Sequence, residues 1–176
     1  MRSRAALAAV ALLAVAVPGC GVDDEDAMGN LEQLSEQVLA TAGEVVETLE
    51  EAGLEVESAV GQGDHCQMEP APGLTFGLGG QVAETAPYAE QHAAALEALQ
   101  ADGWEVTDEG EHAQPGEQPE PYSRLSRDDF RLSLDNTVRQ GSDALVFGLH
   151  RDDDCIRVSD GSVQLPEDLE EVPLVE

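Results

Sequence analysis

The apolar period of the chain changes near residue 53, and this change limits the fold more than any other feature. Between residues 30 and 53, Leu31, Leu34, Val38, Ala42, Val45, Leu49 and Ala52 recur at spacings of three and four. That spacing lays them along one stripe of an α-helix. Asn30 suits the N-cap, Gln33 stands where a capping-box partner would, and Gly53 supplies the left-handed residue that ends a helix. The stripe lasts barely three heptads, and Leu39 and Val46 broaden it, so it fits the domain's own sheet better than a partner helix. From Leu54 the period falls to two: Leu54, Val56 and Val60 alternate with Glu55, Glu57 and Ala59, as in a half-buried strand. A chain patterned this way must cover one face of a sheet with one stripe of a helix.

The rest repeats that logic. After a turn at Gly61-Gln62-Gly63-Asp64, Leu74, Phe76 and Leu78 alternate, and Gly79-Gly80 is expected to end or bulge that strand. A second helix is predicted over 86–101, with Thr85 as N-cap and Pro87 in the first turn. Tyr88, His92, Ala95, Leu96 and Leu99 form its inner face, Gly103 closes it, and Trp104 opens the next strand. Residues 110–121 (GEHAQPGEQPEP) read as a long hairpin loop. Short alternating strands follow at 122–126, 130–134, 145–149 and 155–158. Residues 159–176 are acidic, Pro-interrupted and expected to fray. Strand runs with two helices predict an α+β fold: a two-layer sandwich, mainly antiparallel, with both helices packed on one face. The single domain is placed at 31–158.

Residues 1–19 read as a signal peptide. Arg2 and Arg4 precede an apolar run of thirteen residues from Ala5 to Val17. As a helix that run spans about 20 Å, short of the ~30 Å hydrocarbon core, and its form is that of a secretory signal. Val17-Pro18-Gly19-Cys20 resembles the lipobox of bacterial lipoproteins, although Pro18 stands where a small residue is common. The resemblance implies that Cys20 is lipidated and becomes the N-terminus, with the bilayer as partner through its acyl chains. The expected location is the extracytoplasmic face of the cell membrane. Residues 20–30, which include the acidic run GVDDEDAMG, would then be a tether extended by like charges, holding the body off the bilayer.

Cys66 and Cys155 remain. Outside the cytoplasm an even pair most simply means a disulfide, here closing a loop of about 90 residues worth roughly 4.6 kcal/mol on the chain-entropy model. The rival is a zinc site that adds His65 and His150. His65 and Cys66 are neighbours that point to opposite faces of an extended segment, and no CxxC or HxxxH knuckle supports that site.

Charge narrows the function. Eight basic residues, all Arg, stand against 37 acids, a net charge of -29, which excludes a general nucleic-acid surface. The acids are dispersed, as in a surface adapted to salt; attraction of a basic partner is the other reading. Arg124, Arg127, Arg131, Arg139 and Arg151 are concentrated in the second half. Arg124, Arg127 and Arg131 are the candidates for a partner or anion site, unless they simply pair with Asp128, Asp129, Asp135 and Asp152. No catalytic residue is assigned: GxSxG and HExxH are absent, Ser142 reads as a turn residue, and no spacing pairs His65, His92, His112 or His150 with a nucleophile. Gly77-Leu78-Gly79-Gly80 lacks the GxGxxG spacing and a P-loop Lys, so no cofactor is expected. Asp152-Asp153-Asp154 lacks the Gly and the following Glu of a calcium loop, so no metal ligand is assigned either.

Cys20, the first helix, Gly103-Trp104, and one Cys after an early strand with another in the last strand resemble the small secreted lipoproteins of high-GC Gram-positive (actinobacterial) type. The activities of that family are largely uncharacterised, so the resemblance carries over no catalytic residue. The expected function is a membrane-anchored, non-enzymatic module that binds an envelope protein or small ligand through its sheet or the 110–121 loop. Trp104, Tyr122 and Phe130 would be its anchors if exposed. The alternatives are a divalent-cation-binding envelope protein and a small extracytoplasmic hydrolase.

Overall fold

The amphipathic stripe forms α1 (Asp24–Glu51) in a computed structural model that describes residues 24–67, 72–112, 119–136, 143–152, 154–158 and 165–175. Residues 1–19, read as a signal peptide, together with Cys20, Arg139, Ser142 and Asp153, lie outside the described residues. The helix begins before the expected cap at Asn30. Ala27, fully buried, continues the stripe one turn upstream of Leu31. Of the acidic residues read as tether, those from Asp24 to Asp26 lie within α1. Residues 24–30, read as tether, therefore belong to α1 and so to the domain placed at 31–158. No described helix is long and apolar enough to cross a membrane.

The remaining elements are β1 (Val56–Gln67), β2 (Gly73–Val82), α2 (Tyr88–Ala101), β3 (Glu105–His112), β4 (Glu120–Arg127), β5 (Phe130–Asn136), β6 (Leu145–Arg151), β7 (Ile156–Arg157), α3 (Glu167–Glu170) and β8 (Val172–Val175). The strands make one 8-stranded sheet in the order β3-β4-β5-β6-β2-β1-β8, with β7 also paired to β2. Every pairing is antiparallel. α1 crosses β1 and β2, α2 crosses β4 to β6, and the two helices touch. This is the expected two-layer α+β sandwich.

Both long helices end the same way. Gly53 (φ 80°) and Gly103 (φ 91°) take the left-handed conformation. Leu54 N–H donates to Leu49 C=O and Trp104 N–H to Leu99 C=O, closing Schellman motifs whose flanking apolar side chains are all buried. The start of α2 differs from expectation. Pro87 is the N-cap, without a side-chain cap, and Thr85 instead lies 3.5 Å from the Gln91 amide nitrogen.

Inward positions of β2 (Leu74, Phe76, Leu78, Val82), β5 (Leu132, Leu134) and β6 (Leu145, Phe147, Leu149) meet Leu31, Val38, Val45, Leu49, Leu99 and Trp104 in one core. Gly79-Gly80 neither ends nor bulges β2. A Cβ on Gly80 would sit 2.2 Å from the Phe147 ring, so the glycine makes room for that ring and the strand runs on to Val82.

Two further expectations are revised. The 110–121 hairpin exists, but Gly110 to His112 and Glu120-Pro121 belong to paired strands, because the Tyr122 ring lies against the bare Cα of Gly110. The supposed frayed tail is ordered over 165–175: Leu165, Leu169, Val172 and Val175 are apolar and pack on the core, and β8 pairs with β1. The edges of the sheet are both poor templates for another strand, β3 carrying Glu105, Asp108, Glu109 and Glu111 and β8 carrying Pro173.

A disulfide joins Cys66 and Cys155, with Cα atoms 5.7 Å apart. It crosses the first residue of β2, since Gly73 pairs with Gln67 of β1 and with Arg157 of β7. A Cβ on Gly73 would meet Cys155 Sγ at 2.5 Å and Cys66 Sγ at 2.9 Å. Gly73→Val is therefore expected to leave both thiols alkylatable without reductant, with a loss of about 2–5 kcal/mol in denaturant unfolding.

Candidate functional site

Of the clustered arginines, Arg124, Arg127, Arg131 and Arg151 are paired within the chain. Arg124 reaches Asp135 at 3.2 Å, Arg131 reaches Asp152, and Arg151 reaches Asp129 at 3.2 Å. Arg127 does more. Its guanidinium lies 4.8 Å from the Trp104 ring and bonds Glu44 of α1 and Asp102 at the end of α2. The candidate trio does not converge. Arg127 shares its face with Phe130, on the helix side, whereas Arg131 pairs opposite His150 on the other side. Of the aromatic anchors, Trp104 is core and Phe130 packs on the core. Tyr122 stays half-buried, stacked on His112 at 4.5 Å with the Arg124 guanidinium 5.3 Å from its ring.

His92 and Ser123 meet, which the sequence spacing did not reveal. His92 Nε2 and Ser123 Oγ share a hydrogen bond of 3.2 Å. A nucleophile must be reachable, and these residues are only 4 % and 1 % exposed. Among the described residues no carboxylate accepts from the His92 ring, so the orienting third group of a triad is missing. The pair is a polar rivet between α2 and β4. Beside it, the Tyr88 hydroxyl donates to Pro121 C=O at 2.5 Å, and burial first, then the Asp135 and Glu120 carboxylates, push that phenol above its ordinary range.

The carboxylate clusters are dispersed in a similar way. Asp128 (φ 52°) and Asp129 make the two-residue turn between β4 and β5. Among the described residues no three His, Cys, Asp or Glu side chains come together as a metal site.

What does converge lies on the sheet face opposite the helices. A groove of about 580 Å³ crosses β1, β2, β6 and β5, with Gly77, Gly79 and Gly148 as its floor. Val60, Gln62, Asp64 and Thr75 line one side, Ser133 and His150 the other, and Asp154 one end. Gly79 pairs directly with Gly148, Val60 with Gly79, and Ser133 with Gly148, so one row of the sheet is nearly bare across its centre. A second depression of about 530 Å³ lies between α1 and the β6–β7 connection. Its Arg151 is already held by Gln37 at 2.9 Å and by Asp129. The sequence singled out Gly77 and Gly79 in a failed phosphate motif, and Gly79 also as part of an expected strand end or bulge. The pairing of Gly79 with Gly148, distant in the chain, becomes visible only with the strand order.

No protein-family model, curated protein sequence or solved structure matches the chain.

Burial holds the His92 imidazole below its ordinary value of 6.5, against the upward pull of Asp135 and Glu109. As pH falls through that value the unfolded chain gains a proton that the folded chain resists. The stabilisation is therefore full above it and is lost toward the lower folded value. Between about pH 7.5 and about pH 5, His92→Gln is expected to lose less melting temperature than the wild type does. Equal losses would show that other groups govern acid sensitivity.

Proposed function

We propose that this chain is a lipid-anchored extracytoplasmic protein whose domain is a non-enzymatic binding module. The observation that carries the reading is the order of features at the N-terminus: Arg2 and Arg4, the apolar run, Val17-Pro18-Gly19-Cys20, and then, by Asp24, helix α1. The Cys66–Cys155 disulfide suits an oxidising compartment. A binding role is favoured by polar side chains around an open groove, while the His92–Ser123 pair is sealed in the core.

The early start of α1 changes the geometry of the proposed anchor. Four residues from Cys20 to Asp24 span at most about 14 Å, so an acylated Cys20 holds the domain close to the bilayer and leaves no room for a long stand-off. Fractionation tests the reading. The wild type is expected in the membrane fraction with an acyl label, and Cys20→Ser in the soluble fraction without it. A wild type that is soluble, or a serine variant that stays in the membrane fraction, overturns it.

A further inference from the structure

The glycines of this sheet divide into two sets. Gly61 sits under the Phe76 ring, Gly63 receives Leu165, Gly73 lies under the disulfide, Gly80 receives Phe147 and Gly110 receives Tyr122. In each case a Cβ would fall within 3.0 Å of that neighbour, so packing within the chain accounts for the residue. At the centre of the groove floor Gly79 has no such account: a Cβ there would meet nothing within 4 Å, while on Gly148 it would meet Ser133 Oγ at 3.0 Å and Leu78 C=O at 3.9 Å. On Gly77 it would meet Leu149 C=O at 3.3 Å and His150 Cβ at 4.0 Å. Glycine inside a strand costs roughly 0.5–1 kcal/mol relative to alanine, and where nothing internal requires it, it marks close approach by another molecule.

We propose that this uncovered sheet face docks an extended basic segment of a partner protein, laid across the strands over Gly77, Gly79 and Gly148. The proposal deepens the binding-module reading and rests on it. Charge selects the occupant. The Arg124, Arg127, Arg131 and Arg151 guanidiniums are all taken by carboxylates. Asp64 and Asp154, at the rim of the groove, have no ion pair among the described residues; Asp64 accepts only the His65 N–H. With a chain charge of -29 the rim attracts Lys and Arg and repels acidic ligands. Shape fits as well. Four strands about 4.8 Å apart give a trough about 14 Å across, the length of about four extended residues. The floor backbone is already paired within the sheet and Ser133 donates to Gly148 C=O, so Gln62 and Thr75 are the groups that meet the peptide backbone.

The test uses the purified domain, which makes it independent of anchoring. A fluorescent octapeptide alternating Lys and Ser is titrated by anisotropy, beside its Glu/Ser counterpart and a neutral N-acetylglucosamine tetramer. Only the Lys peptide is expected to saturate. Gly79→Val fills the floor at a position where its Cβ meets no other atom of the protein within 4 Å, and should weaken binding at least about tenfold while melting is unchanged or raised. Asp64→Asn should weaken it less and lower its salt dependence. Equal binding by wild type and Gly79→Val would reduce the effect to diffuse charge and overturn the proposal. So would binding of the neutral glycan alone, absence of saturable binding, or a wild-type dimer in sedimentation that Gly79→Val dissociates.

Discussion

Strand β2 sets the terms for the rest of the molecule. It is hydrogen-bonded on both sides, to β1 along one edge and to β6 and then β7 along the other. Its inward positions carry Leu74, Phe76, Leu78 and Val82, all buried. Its outward positions include Gly77 and Gly79. A central strand with that asymmetry has one face to offer helices and one bare face, so both long helices are driven to the same side. The groove is the remainder of that arrangement.

Holding two helices on one side requires their ends to be fixed, and here a single side chain contributes to both. Arg127 leaves β4, covers the Trp104 ring and reaches Asp102 at the end of α2 and Glu44 within α1. Exposed ion pairs add little individually. Stacking on a buried indole and bonding two carboxylates from separate helices gives this guanidinium a positional role that Arg124, Arg131 and Arg151, each paired with one aspartate, do not share.

The sequence disclosed what depends on local periodicity and hid what depends on register. The α1 stripe, both glycine stops, the Gly103-Trp104 step and the inward Leu-Phe-Leu of β2 were legible, because each is decided by residues within a few positions of one another. Residues 24–30 were misread as tether because four acids in a row suggest solvent, although Ala27, fully buried, carries the helical stripe into them. The ordered C-terminal strand was missed because Pro166 and Pro173 suggest disorder, although Pro166 caps a helix and Pro173 lies on an edge strand. The candidate site was the least legible part. Gly79 and Gly148 become neighbours only once β6 is known to pair with β2, and Ser123 meets His92 only through the packing of α2 on β4.

The protected edges have a consequence for how such a domain behaves when many copies share a confined space. Growth of a sheet from chain to chain needs an accommodating lateral strand, and one border here repels by repeated carboxylates while the other lacks an amide at Pro173. Lateral fibre-like stacking is discouraged at both borders. Crowded copies can then remain separate, each keeping its bare face open to solvent.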